Sequence, residues 1–328
     1  MDLDTQEMLR ASLRPLLSDR DDDRLLAARL AELGWDDVLA EDATTAHRIL
    51  FAVRGEVLAD ADALGPLLSA TVAEVADMPD AARAVVVLPP TLDVSRPSGH
   101  VQGSELLVDG LALSTPSAGA HLLVPAVVDD GFRLAITPCP AQVTAVSGVD
   151  PDLGLTQIAG TVDAAEVDWI SGTTAVEACD AAVAAGRWAL AAELCAIGAR
   201  VVSEAVEYTK ERRQYGRPIG SFQALQHRLA SAHASVVGAT HVVDEAARSG
   251  SGWDALVAKY LAGRAAEFAC TQAQQSYGAI GFTWEHDFHR SLRRTYSLDR
   301  ILGGWRELES EIGRTLQRTG VVPKIGAL

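Results

Sequence analysis

Residues 208–219 read Tyr208-Thr209-Lys210-Glu211-Arg212-Arg213-Gln214-Tyr215-Gly216-Arg217-Pro218-Ile219, with Ser221-Phe222-Gln223 just beyond. Upstream, Ala191, Leu194, Cys195, Gly198, Val201, Val202, Ala205 and Tyr208 recur at three- and four-residue steps, the apolar stripe of a long helix that ends in this stretch. Gly216 and Pro218 then turn the chain, and a new helical pattern begins at Phe222. The cations Lys210, Arg212, Arg213 and Arg217 gather here, beside a tyrosine and two amides. Guanidinium forks match the paired oxygens of a phosphate or pyrophosphate. Cations at a helix C-terminus also simply neutralise its dipole, and the stretch alone leaves both readings open.

A second stretch, Gln275-Ser276-Tyr277-Gly278-Ala279-Ile280-Gly281-Phe282-Thr283-Trp284-Glu285, carries a Gly-x-x-Gly break after another helical pattern. Such a break lets backbone approach a ligand closely, although the same glycines can merely stop a helix. Between and around the two stretches the spacing predicts helices over 222–248 and 253–277, then a shorter pair flanking Gly303-Gly304. Small residues on the stripes suit close antiparallel packing in a bundle.

Working outward, residues 1–83 read as short helices, with Leu9, Leu13, Leu16 and Leu17, then Leu25, Ala28, Leu30 and Leu33, at helical spacing. Between them, the acidic run from Asp19 to Asp23 reads as a solvated turn feeding a helix N-terminus. Residues 84–168 change character: Pro and Gly rise, and the runs AVVVL, ELLVDGLAL, HLLVPAVV and FRLAIT predict a small, mostly antiparallel β domain. Residues 169–328 return to long helices. No glycine fingerprint follows a strand and opens a helix, so a Rossmann nucleotide site is not indicated.

The formal net charge of −16 disfavours nucleic-acid backbones and anionic lipid as partners. Cys139, Cys179, Cys195 and Cys270 lie far apart, which favours reduced, buried thiols in a cytoplasm over a disulfide frame or zinc site. Neither a signal peptide nor an apolar run long enough to span a membrane is expected. Glu285-His286-Asp287-Phe288-His289 contains an HxxH step, but with no third ligand in view these read as surface residues, and no metal is expected. His227 and His233 read as packing or surface residues of a helix.

In order and spacing, ERRQYG, SFQ and QSYGAIGF resemble the acyl-CoA dehydrogenase family, whose members carry an E-R-x-x-[FY]-G turn, a glutamine shortly after it, and Q-x-x-G-G-x-G-[FY] one helix pair later. The resemblance covers the C-terminal half and is weak in the first. It implies an α+β fold with a helical N-terminal domain, here reduced, a small central β domain and a C-terminal antiparallel four-helix bundle. It also implies an FAD shared across a subunit interface, one subunit holding the ring and its neighbour the pyrophosphate and adenosine. Carried over, Arg212 faces the pyrophosphate with Gln214 and Tyr215 alongside, while Gln223 and the segment from Gln275 to Gly278 line the adenosine half. Ala279 stands where the family has its second glycine.

The family's dehydrogenation needs a carboxylate to remove the substrate's α-proton. Its usual position, before a glycine pair, falls here on Leu302, in Ile301-Leu302-Gly303-Gly304. Some members place the glutamate twenty-six residues before the turn arginine, which from Arg212 arrives at Gly186, followed by Arg187. Both are without an acid, and Ala184 stands where another acid often sits. The family's T-E-P-x-A-G-S-D loop also has no counterpart. The nearest string, residues 115–120, reads as a plain loop.

A half-site for a neighbour's flavin is thus kept and the half-site for the chain's own is lost. That pattern is similar to the short partner subunits of heterotetrameric (α2β2) acyl-CoA dehydrogenases of actinobacterial steroid side-chain degradation. The resemblance implies a homologous catalytic subunit as partner, with this chain inactive alone. Two other readings stand beside it: a scaffold that touches no cofactor, and an autonomous flavoenzyme with its base relocated to Glu193 or Glu177.

Overall fold

The structure, a computed structural model, describes residues 1–19, 26–94, 96–129, 131–140 and 142–326. The helices α1 (Leu3–Ser18), α2 (Leu26–Glu32), α3 (Trp35–Val57) and α4 (Leu64–Ala76) come first. Strands β1 (Val85–Val86), β2 (Gly99–Gln102), β3 (Glu105–Ala112), β4 (His121–Val128), β5 (Gly131–Pro138), β6 (Gln142–Ala145), β7 (Thr156–Asp163) and β8 (Asp168–Ile170) follow. The 40-residue helix α5 (Gly172–Glu211) leads to a two-stranded hairpin, β9 (Arg213–Gln214) and β10 (Arg217–Pro218). Helices α6 (Gln223–Ser249), α7 (Gly252–Tyr277), α8 (Phe288–Arg300) and α9 (Trp305–Thr319) complete the chain. The helix, sheet, helix order expected for an α+β fold is what forms.

Contacts divide the chain into two compact units. One comprises Met1–Ala59, Trp188–Asp299 and Trp305–Leu328, and the other Asp60–Arg187 and Arg300–Gly304.

In the first unit, Asp2 caps α1 by accepting the Thr5 N–H at 2.8 Å. Leu9, Leu13 and Leu17, four residues apart, form its buried face, each contributing roughly 1.5–3 kcal/mol on full burial. The helix α2 departs from the expected pattern. It buries Leu26, Arg29 and Leu30, and Ala28 is exposed, because the arginine takes an inward position that the stripe assigned to an apolar side chain. Leu25 and residues 20–23, most of the acidic run, lie outside the described residues. Further along, α6 packs on α7 and α7 on α9. The inward face of α6 is Ala232, Val236, Ala239, Val243 and Ala246, small enough for close approach.

The second unit is built on an eight-stranded sheet, ordered β6-β7-β3-β2-β4-β5-β8 with β1 pairing β4. Among the described residues, only β1 with β4 and β2 with β4 pair in parallel. Strand β3 alternates exposed and buried residues along its length, the period of a sheet with one wet face. Val87, Leu106, Leu122, Val124 and Ile158 centre its core. Among the described residues no helix is long and apolar enough to cross a membrane.

Candidate functional site

The stripe of α5 delivers the arginine turn as a built element. Arg212 N–H donates to Tyr208 O at 2.9 Å, and Ile219 N–H donates to Arg212 O at 2.8 Å, closing the hairpin at its base. Gln214 pairs with Arg217 across the hairpin. Tyr215 (φ 53°) and Gly216 (φ 78°) occupy the two turn positions, both left-handed, as a tight mirror-image turn demands. Glycine takes that conformation without strain, whereas Tyr215 pays about 1–2 kcal/mol for it and stands 93% exposed. Its ring meets Phe222 edge-on at 6.3 Å, and the Arg217 guanidinium lies 4.2 Å from the same ring's centre. Phe222 therefore docks the hairpin tip onto the start of α6.

The four cations are not equivalent. Lys210 is held by Glu207 at 2.6 Å, Arg213 donates to Gly216 O at 3.3 Å, and Arg217 is stacked on Phe222. Arg212 is exposed, and among the described residues its guanidinium has no protein partner. The exposed side chains of Gln214, Gln223 and Gln275 have none either. An unpaired guanidinium with exposed, unpaired amides in the neighbouring segments suits a polyanionic, hydrogen-bonding group.

The second stretch meets the first through aromatic contacts. Tyr277, at the end of α7, lies 5.1 Å from Tyr208, 4.3 Å from His286 and 5.4 Å from Phe288, ring centre to ring centre. Tyr208 is one helical turn before Arg212, so this cluster fixes the Gln275 to Gly278 segment beside the arginine turn. Gly278 (φ 64°) opens the short 3-10 turn Gly278–Phe282. The Tyr277 hydroxyl is buried without a hydrogen-bond partner, and burial, with Glu204 nearby, pushes its pKa up. His286 and His289 differ from the expected surface residues. Both are half-buried against rings, His286 on Tyr277 and His289 on Trp284 at 4.6 Å. Among the described residues no group of three His, Cys, Asp or Glu is arranged to hold a metal.

In the second unit, the two positions at which the family resemblance puts a catalytic base, 186 and 302, face each other. Leu302 (φ 59°, 3% exposed) donates its N–H to Leu92 O at 2.8 Å, and its carbonyl accepts from Arg187 Nε at 3.1 Å. A Cβ placed on Gly186 would come within 2.4 Å of Leu302 Cδ1 and 2.8 Å of Leu68 Cδ2. The leucine thus fills the space a side chain at position 186 would need. Nothing there can accept a proton. Residues 115–120 form the plain connection between β3 and β4.

Glu193 and Glu177 stand in different settings. Glu193 is 1% exposed in the first unit, with Arg54 Nε at 3.2 Å and Arg294 at 3.8 Å. Arg294 also donates to Ala59 O, so this is a cross-link between distant segments. Glu177 lies exposed on the first turns of α5. The thiols also differ from expectation: Cys195 and Cys270 are buried, but Cys139 and Cys179 only partly so.

The hairpin, the Tyr277 segment and the surrounding helices coincide with a known family: Acyl-CoA dehydrogenase, C-terminal domain, matches residues 176–315. The chain belongs to the acyl-CoA dehydrogenase family, and its fold is that family's. Among characterised relatives, Acyl-CoA dehydrogenase IpdE2 of Mycobacterium tuberculosis is 39% identical over 127 residues, covering 38% of this chain and 40% of that protein. Acyl-CoA dehydrogenase FadE34 of the same organism is 31% identical over 263 residues, covering 74% of this chain but 31% of that protein. The chain therefore spans about two fifths of the length of the first and under a third of the second. Among solved structures, the Tcur3481-Tcur3483 steroid ACAD variant superposes with a TM-score of 0.76 at 20% identity, covering 97% of this chain and 99% of that one. The ChsE4-ChsE5 complex from Mycobacterium tuberculosis gives 0.71 at 20%, covering 96% and 97%.

The hairpin was legible in the sequence; its docking on Phe222 and the Tyr208–Tyr277 contact were not, because they join residues far apart in the chain. The contact between positions 186 and 302 was missed for the same reason.

Proposed function

We propose that this chain is the non-catalytic subunit of a hetero-oligomeric, FAD-dependent acyl-CoA dehydrogenase that introduces an α,β double bond into an acyl-CoA thioester. The carrying observation is the Arg212 guanidinium, unpartnered among the described residues in a turn whose other three cations are engaged. Arg212, Gln214 and Tyr215 would hold the pyrophosphate, and Gln223 with Gln275 and Gly278 the adenosine, of a flavin whose ring lies in a homologous catalytic subunit. When bound, FAD supplies the acceptor for the β-hydride of the substrate. This chain supplies no base: Leu302 and Gly186 have no side-chain proton acceptor, and Glu193 is locked between arginines. The likeness to a steroid ACAD favours a steroid side-chain CoA ester as substrate, and the likeness to the two-component ChsE4-ChsE5 complex favours a heteromer, for which the proposed form is α2β2.

The test is Arg212→Ala in this chain, co-expressed with its catalytic partner. Removing a charge-assisted contact of about 1.5–3 kcal/mol weakens flavin retention by about tenfold or more. Unchanged retention would overturn the assignment.

A further inference from the structure

The hairpin of β9 and β10 has two residues in each strand, and an isolated two-stranded ribbon is marginally stable in water. Its pairs are Gln214 with Arg217 and Arg213 with Pro218, and the proline has no N–H to give to the second. Tyr215, left-handed at the tip, favours reopening. Support therefore has to come from outside the ribbon. The exposed Arg217 guanidinium lies 4.2 Å from the ring centre of Phe222, and the Tyr215 ring meets the same ring edge-on at 6.3 Å.

That ring stands on a fixed base. Phe222 N–H donates to Ile219 O at 3.1 Å, and Phe222 O accepts from Leu225 at 3.0 Å and Gln226 at 3.1 Å, opening α6. The Gln226 amide donates to Gly220 O at 2.8 Å and the Ser221 hydroxyl to Pro218 O at 2.7 Å, so the segment between hairpin and helix is pinned. Arg212 stands at the foot of the hairpin, where its carbonyl accepts the closing bond from Ile219. A tip that lifts away takes the place of the Arg212 side chain with it. We infer that Phe222 is a positioning residue of the proposed flavin half-site, an inference that rests on that reading. Its ring holds Arg217 and Tyr215, and through them fixes where Arg212 presents its guanidinium. Arg217 thus serves through the ring and not by meeting the anion.

A cation over an exposed ring contributes roughly two- to fivefold to an equilibrium, and an edge-on ring pair roughly two- to tenfold. The test is FAD titration of the flavin-stripped complex with the catalytic subunit. Phe222→Leu weakens FAD roughly tenfold and Arg217→Met roughly threefold, whereas Phe222→Tyr binds as the parent does. Arg217→Met adds nothing on top of Phe222→Leu, because both remove one contact. In the stripped complex, trypsin cleavage after Arg213 quickens by a similar factor in Phe222→Leu, since cleavage follows the population of open hairpin, and the melting temperature is unchanged. Arg212→Ala, run alongside, weakens FAD but leaves that cleavage rate as it was. Loss of FAD with Arg212→Ala but not with Phe222→Leu overturns the positioning role and leaves the flavin reading standing. No loss with Arg212→Ala overturns that reading, and the positioning role with it. Additive effects of Phe222→Leu and Arg217→Met would put Arg217 on the anion itself, and FAD loss without faster cleavage would put Phe222 against the cofactor; either result overturns the inference.

Discussion

If Leu302 occupies the space that residue 186 would need, the two positions must be energetically coupled, and Gly186→Ala measures the coupling. In a helix interior this exchange alone stabilises by about 1 kcal/mol. Here the added methyl would press on Leu302 Cδ1 (2.4 Å) and Leu68 Cδ2 (2.8 Å), both side chains being buried. Overpacking of this kind costs about 1–3 kcal/mol. Leu302 also lines an apolar cavity of about 310 Å³ and can yield towards it, which places the cost in the lower half of that range. Leu302→Ala alone loses about 2–5 kcal/mol through lost burial. In the double variant the methyl at 186 meets Leu68 and, at ordinary contact distance, Leu64, so Gly186→Ala becomes neutral or stabilising there. The interaction energy from the four-member cycle, read from urea unfolding by far-ultraviolet circular dichroism, is about 1–2 kcal/mol. Additivity within about 0.5 kcal/mol would refute the packing argument, and with it the explanation of why this helix carries glycine at 186.

Glu193→Gln leaves Arg54 and Arg294 buried without their carboxylate, and costs about 3–5 kcal/mol in the same unfolding assay. A variant of wild-type stability but without turnover in the complex would instead mark Glu193 as a base. Burial raises the Glu267 pKa, but hydrogen bonds from Arg306 and Trp305 Nε1 outweigh it and hold the group below its ordinary 4.5. Its contribution is therefore complete above pH 4.5 and lost as pH falls below it, so Glu267→Gln narrows the difference in melting temperature between pH 6 and pH 4. An unchanged difference would contradict this. Leu302→Glu places a carboxyl where no base now stands, yet turnover per complex stays the same or falls, because a buried acid disturbs packing and nothing else of the active site returns. A doubling of turnover would reveal a dormant site.

The long helices were legible because each carries a stripe: Leu9, Leu13 and Leu17 on α1, and the residues from Ala191 to Ala205 on α5, are buried as their spacing required. Strands β3, β4 and β5 announced themselves as apolar runs. Strands β2, β6 and β8 did not. Gly99–Gln102 and Gln142–Ala145 are short and largely polar, with β6 exposed throughout, so their pairing comes from neighbours and not from their own pattern. In the hairpin, the turn chemistry of Tyr215-Gly216 was readable, but the sorting of its cations was not. Whether a cation is free depends on Glu207 and Phe222, which lie within reach only once α5 ends and the chain reverses. The missing base was read by counting along the chain; that Leu302 and Gly186 touch required the fold.

The central claim is that this chain completes a flavin site without owning one. Co-expression with the homologous catalytic subunit, followed by quantitation of FAD per complex, tests it directly. One FAD per heterodimer is predicted, falling when Arg212 of this chain is changed to alanine. One FAD for every chain, retained in full by that variant, would show that this subunit binds its own flavin, and would contradict the account.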